Sequence, residues 1–74
     1  MNWYAVWTGN HIYLVLAEDK DMAYGMTTRD LKLNKRHLGI NLIQEVTNPI
    51  GSMHLINSIL TPDSKPLSIT VKGT

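Results

Sequence analysis

The sequence has no cysteine among its 74 residues. This absence excludes a disulfide scaffold, a thiolate zinc site and a cysteine nucleophile. Because small secreted domains usually depend on disulfides, we expect an intracellular, cytoplasmic protein. The chain also lacks an apolar run of the ~20 residues that span a membrane, and Met1 to Trp7 has neither the charged start nor the apolar middle of a signal peptide. We therefore expect no membrane association.

Motifs that would name a chemistry are also missing. His11, His37 and His54 are scattered, with no spacing typical of paired metal ligands on one element. The five glycines are isolated, which excludes a glycine-rich phosphate loop, and no serine lies in a nucleophile elbow. The carboxylates of residues 18–21 fall where a helix start favours negative charge. The sequence predicts no cofactor, no metal ion and no enzymatic activity.

Length and composition indicate one small folded domain over residues 1–74. Hydrophobic residues make up 43% and charged residues 18% of the chain, which is ordinary for a globular protein. A domain of this size buries only about 60% of the surface that its unfolded chain exposes, so a large catalytic pocket would compete with the core. The net charge of +1 provides no long-range field, so any electrostatic function requires a local patch.

The N-terminal third predicts a β-hairpin. Residues 2–8 and 11–17 are rich in aromatic and β-branched types, and Gly9-Asn10 between them suits a two-residue turn. Alternation along the strands then creates two faces. The wholly apolar one, here called the tryptophan face, consists of Trp3, Ala5, Trp7, Ile12, Leu14 and Leu16. The other, the tyrosine face, consists of Tyr4, Val6, Thr8, His11, Tyr13 and Val15.

The remainder predicts an α+β fold with a mostly antiparallel sheet. We expect a helix near 19–30, a strand over 38–46, a helix over about 49–60 with a strand as its alternative, and a final strand over 67–72. In the strand over 38–46, alternation predicts one buried face made of Leu38, Ile40, Leu42 and Val46. The expected order is β-β-α-β-α-β, with one or two short helices on one face.

Which face the helices cover decides the first candidate site. Two short helices cover one sheet face well. Because the tryptophan face is wholly apolar, we expect the helices to cover it, which makes Trp3 and Trp7 core residues. The tyrosine face is then left outward, and tyrosine is enriched in binding hot spots. We therefore predict a protein interface, with a partner or a second copy in a homodimer, made by Tyr4, Val6, His11, Tyr13 and Val15.

A basic segment forms the second candidate site. Arg29, Lys32, Lys35 and Arg36 are four of the seven basic residues of the chain, and they could contact an acidic protein partner or the phosphates of a nucleic acid. We expect these four side chains to be exposed and dispensable for folding.

The stretch WYAVWTGNHIYLVLAEDKDMAYG, in which a hairpin leads into a short helix, resembles the layout of small phage-encoded inhibitors of bacterial defence, including anti-CRISPR proteins. The resemblance concerns size and layout over residues 2 to 30. It implies a protein that occupies a surface of a larger complex. We therefore expect a small non-enzymatic interaction protein that blocks or modifies such a complex. The alternative is a small nucleic-acid-binding or transcription-associated module that uses residues 29–37.

Overall fold

The computed structural model describes residues 1–36, 39–62 and 67–68 and shows a small α+β domain that opens with a β-hairpin. Strand β1 spans Asn2–Thr8 and strand β2 spans His11–Ala17, and they pair antiparallel around a turn in which Gly9 has a φ of 47°. The cross-strand partners confirm the predicted register: Trp7 with Ile12, Ala5 with Leu14 and Trp3 with Leu16.

Helix α1 spans Lys20–Leu33 and is three residues longer at its end than expected. Its start is set by Asp19, whose Oδ1 accepts a hydrogen bond of 2.8 Å from the backbone N–H of Met22. Thr27 and Thr28 lie within the helix, where each hydroxyl donates to the carbonyl four residues earlier at 2.8 Å. The helix ends at Asn34, whose backbone N–H donates to the carbonyl of Asp30.

Three further strands complete the sheet in the order β3-β1-β2-β4-β5. Strand β3 spans Ile40–Val46, β4 spans Ser58–Leu60 and β5 spans Leu67–Ser68. Three of the four pairings are antiparallel and the β2–β4 pairing is parallel, so the sheet is mostly antiparallel as predicted. The predicted strand positions 38 and 69–72 lie outside the described residues.

The segment predicted as a helix over 49–60 divides into two structures. A 3₁₀ helix spans Pro49–Leu55, and β4 follows, so the helix prediction is wrong for the second half and the strand alternative is correct there. Asn57 explains the division, because its Oδ1 accepts from the N–H of Ile12 at 2.7 Å and its own N–H donates to the Ile12 carbonyl at 2.8 Å. This tie to β2 favours strand geometry in a short apolar run whose period is ambiguous.

Helix α1 covers the tyrosine face, so the prediction that this face lies outward is wrong. Tyr4, Val6, Tyr13 and Val15 are all at most 5% exposed, and they share one core cluster with residues of α1. The physical reason is topological. Helix α1 connects β2 to the parallel strand β3 across β1, and such crossovers are right-handed in about 98% of cases, which leaves the helix only one face.

The second long connection, residues 47–57, travels back from β3 to β4 in the opposite direction across the sheet. A connection of the same hand must then lie on the opposite face, which is the tryptophan face. Ile56 is buried there together with Ala5 and Leu14, each at most 2% exposed. Trp3 and Trp7 are only half-buried, so the expectation that both belong to the core is wrong.

A bulge in β3 divides between two faces the residues that were expected to share one buried face. The pairing with β1 is regular from Trp3–Val46 to Trp7–Leu42 and then skips Asn41, so that Thr8 lies opposite Ile40. Asn41 Oδ1 instead accepts a hydrogen bond of 2.8 Å from the N–H of Gly9. Ile40 therefore packs under α1, whereas Leu42 and Val46 lie on the other face, and the predicted single buried face of this strand is wrong.

The cover of the tyrosine face by α1 predicts different effects for two substitutions, one on this face and one on the opposite face. Tyr4→Ala removes a large side chain that is 5% exposed and should lower the free energy of unfolding by ~3–5 kcal/mol. Leu42→Ala removes one that is 52% exposed and should lower it by less than ~1 kcal/mol. Urea denaturation followed by circular dichroism measures both values. Equal losses would contradict the assignment of the core to the tyrosine face.

Candidate interaction surface

The residues first predicted as a protein interface are not available for contact. Tyr4, Val6, Tyr13 and Val15 form the core beneath α1, and only His11, near the turn, remains partly exposed. The interface prediction therefore fails on this face, because a partner would have to displace α1 to reach it. The side chains that remain available for contact are those that the two connections leave uncovered.

A polar cluster lies under the end of α1. The hydroxyl of Tyr13 donates to Asp30 Oδ2 at 2.7 Å, and both residues are buried. Asn34 Nδ2 donates to Asp30 Oδ1 at 3.0 Å. Arg36 Nη1 donates to the Tyr13 hydroxyl at 3.2 Å and lies 3.6 Å from Asp30 Oδ2. The buried carboxylate is thus hydrogen-bonded and paired, which is the condition under which burying a charge is tolerated.

The cluster changes the role of one basic residue. Arg36 was expected to be exposed and free to contact a partner, but its side chain is 34% exposed and its guanidinium group is held by Tyr13 and Asp30. Arg29, Lys32 and Lys35 are exposed on α1 and just beyond it, as expected. The basic segment thus offers three exposed cations, and the fourth stabilises the fold.

His11 and Ser58 form a second polar contact beside this cluster. His11 Nε2 lies 2.9 Å from Ser58 Oγ, and the imidazole ring centre is 4.7 Å from that of Tyr13. Burial lowers the pKa of His11, and the charge of Arg36 acts in the same direction while Asp30 opposes it. Ser58 is 4% exposed within β4, so this contact links β2 to β4 at a buried hydroxyl.

A cleft opens on the tryptophan face, where the connection from β3 to β4 crosses the sheet. Its volume is about 300 Å³. The sheet contributes the floor and the connection contributes one wall. The lining residues are Ala5, Trp7, Ile12, Gln44, Glu45, Val46, Thr47, Asn48, Leu55 and Ile56. Apolar side chains therefore meet a few hydrogen-bonding groups in one concave site, which is the usual make-up of a binding pocket.

Large exposed apolar side chains lie on the strand and on the connection that line this cleft. Leu55, which lines it, is 52% exposed, and Leu42, the cross-strand partner of Trp7, is exposed to the same extent. Ile50, on the same connection as Leu55, is 83% exposed. Single exposed apolar residues are common on protein surfaces, whereas a larger apolar patch is typical of interaction sites, which makes this cleft the candidate site.

Sequence reasoning missed this site because it depends on the register of β3. Leu42, Gln44 and Val46 alternate along that strand, and each lies opposite a residue of the tryptophan face. The alternation is visible in the sequence. The bulge at Asn41, which excludes Ile40 from the set, is not, because it arises from the tertiary contact with Gly9.

Within residues 1–36, 39–62 and 67–68 there is no group of three or more potential metal ligands. No helix in the same part of the chain has both the length and the apolar character needed to cross a membrane. Comparison with protein-family models, curated proteins and solved structures finds no significant match to this chain.

The buried tyrosine predicts a stability change at high pH. Burial, followed by the hydrogen bond to Asp30, raises the pKa of Tyr13 to about 12. The unfolded chain releases this proton near pH ~10, so the contribution of Tyr13 to stability is complete below that pH and is lost as the pH rises through about 12. Urea denaturation should therefore show the stability difference between the wild type and Tyr13→Phe shrinking over this interval. A constant difference would contradict the buried hydrogen bond.

The polar cluster also predicts that substitutions of two basic residues have different effects on stability. Arg36→Glu removes a donor to Tyr13 and places a second carboxylate beside the buried Asp30, so we expect the free energy of unfolding to fall by about 1–2 kcal/mol. Arg29→Glu is the matched control on the exposed side of α1 and should change it by less than ~0.5 kcal/mol. Thermal and urea unfolding of both variants measure the contrast. If the two variants were equally stable, the structural role of Arg36 would be refuted.

Proposed function

We propose that this protein is a non-enzymatic interaction protein that binds a larger protein partner through the tryptophan face. The observation that carries the proposal is the cleft between Trp7 and the connection that contains Leu55, with exposed apolar side chains around it. Aromatic and aliphatic anchors that fill such pockets contribute most of the energy of protein interfaces. The volume of about 300 Å³ suits one large side chain of the partner.

The distribution of charge supports an uncharged apolar anchor. In the described part of the chain, the Lys and Arg residues lie on α1 and at its end, and the strand and connection that line the cleft contain Glu45 as their only residue of fixed charge. A polyanion would gain no counter-charge here. Gln44, Thr47 and Asn48 supply hydrogen-bonding groups at the cleft, which suits the backbone of a protein segment.

Binding of this kind would make the protein an inhibitor or modifier of a larger complex. A domain of 74 residues has room for one contact surface of ordinary size, and occupying a functional surface of its partner requires no chemistry of its own. This is also the mode that the resemblance of its layout to small phage-encoded inhibitors implies. The exposed residues Arg29, Lys32 and Lys35 are the basis of the alternative, a nucleic-acid-binding module.

Selection from a random linear peptide library tests the proposal, with the enriched peptide synthesised as the probe. The only two tryptophans of the chain belong to the tryptophan face, so their fluorescence reports binding at the cleft. We expect peptides with a large apolar side chain to shift this emission. Leu55→Ser should weaken their affinity at least ~10-fold. Leu33→Ser is the matched control, because Leu33 is a 72% exposed leucine on α1.

Two results would count against the cleft. Peptides that bind wild type and Leu55→Ser with equal affinity would place the contact elsewhere. The nucleic-acid alternative would instead be supported if a single-stranded oligonucleotide bound the protein, if its affinity fell steeply with salt, and if the double variant Arg29→Glu with Lys32→Glu abolished that binding.

A further inference from the structure

Among the described residues, strand β3 forms a long sheet edge with no further strand beside it. It is seven residues long and pairs with β1 on one side, and no described strand lies on its other side. The opposite edge of the sheet is the two-residue strand β5. An unpaired edge presents backbone N–H and C=O groups that can pair with another strand.

The sequence of β3 contains little of what protects such an edge. Natural edges are commonly blocked by lysine, by proline or by a bulge. The seven residues INLIQEV contain no proline and no lysine, and Glu45 is their only charged residue. The bulge at Asn41 disturbs only the first part of the strand. Residues 42–46 keep regular pairing with β1 and therefore form a straight edge available for pairing.

We propose that this edge pairs antiparallel with the same edge of a second copy, around a two-fold axis at Gln44. In this register, Leu42 of one copy lies opposite Val46 of the other, and Gln44 lies opposite Gln44. Ile43 lies opposite Glu45. A two-fold axis requires a self-complementary segment, and residues 42–46 meet that requirement within the part of β3 that the bulge leaves regular.

The pairing is favourable on the tryptophan face, and on the α1 side its like charges are kept apart. On the tryptophan face, Leu42, which is 52% exposed in one copy, gains an apolar neighbour in Val46 of the other. Gln44 side chains meet at the axis and can exchange amide hydrogen bonds. On the α1 side, the two Glu45 carboxylates are diagonal rather than directly opposite, at a separation of ~7–8 Å between strand positions, which limits their repulsion.

The second copy also extends the proposed binding surface without being required for it. Gln44 and Val46 line the cleft of each copy, so pairing at this edge places two clefts on the same face of one continuous sheet, on either side of the axis. The surface contributed by five residues is small, so we expect association in the micromolar to millimolar range rather than an obligate dimer. The cleft test uses Leu55 and the edge test uses Gln44, so either proposal can fail alone.

Single-cysteine cross-linking tests the register directly, because the chain has no cysteine of its own. Residues opposite each other at the axis have Cβ atoms ~4.5–5.5 Å apart, close to disulfide geometry, whereas diagonal residues do not. Under mild oxidation, Gln44→Cys should form a covalent dimer at least ~10-fold faster than Glu45→Cys. Lys32→Cys is the control for random collision, because Lys32 is exposed on α1. Circular dichroism checks that each variant is folded.

Sedimentation equilibrium gives a second, independent measurement on the unmodified chain. We expect the wild type to associate reversibly, and Leu42→Lys, which places a cation on the edge at an exposed site, to weaken association at least ~10-fold. Leu33→Lys is the matched control and should associate like the wild type. A wild type that stays monomeric up to ~1 mM, or Gln44→Cys cross-linking no faster than Lys32→Cys, would overturn the proposal, as would faster cross-linking of Glu45→Cys.

Discussion

The hydrogen bond between the Tyr13 hydroxyl and Asp30 is the contact on which the rest of the structure depends. Tyr13 lies in the middle of the hairpin and is completely buried, so its hydroxyl requires a partner inside the protein. Asp30, on the last turns of α1, supplies that partner only when the helix lies across the tyrosine face. The buried carboxylate in turn requires Asn34 and Arg36, which lie just beyond the helix. Strand β2, helix α1 and the basic segment are thus tied together by one satisfied polar cluster.

Covering the tyrosine face leaves the tryptophan face to the shorter connection. A 3₁₀ helix and the segment around Ile56 cover less of a sheet than fourteen residues of α-helix do. Ala5 and Leu14 are nevertheless buried, while Trp7 and Leu55 line an open cleft. The cleft is therefore open because α1 covers one face of the sheet more completely than the connection from β3 to β4 covers the other. The same apolar pattern that suggested the main core is instead a partly open surface, and it is the surface for which we propose a protein partner.

The basic segment shows why residue type alone does not assign a role. Arg29 and Arg36 have the same side chain and lie seven positions apart, yet one is exposed and the other closes a buried cluster. The difference arises from the end of α1, because Asn34 and the left-handed Lys35, with a φ of 55°, turn the chain back toward the sheet. Arg36 can therefore reach Tyr13, whereas a longer helix would have carried it into solvent.

The sequence by itself determined the hairpin, its register, the start of α1 and the α+β class, because turn chemistry, capping and local periodicity are properties of neighbouring residues. Which apolar face is covered was decided by the strand order and the hand of the crossovers, which no local pattern contains. The bulge at Asn41 and the strand at Ser58–Leu60 likewise depend on Gly9 and Ile12, which are distant in the chain. The candidate site was missed for that reason: its cleft exists only where β1, β3 and the connection from β3 to β4 meet, and tertiary structure alone brings them together.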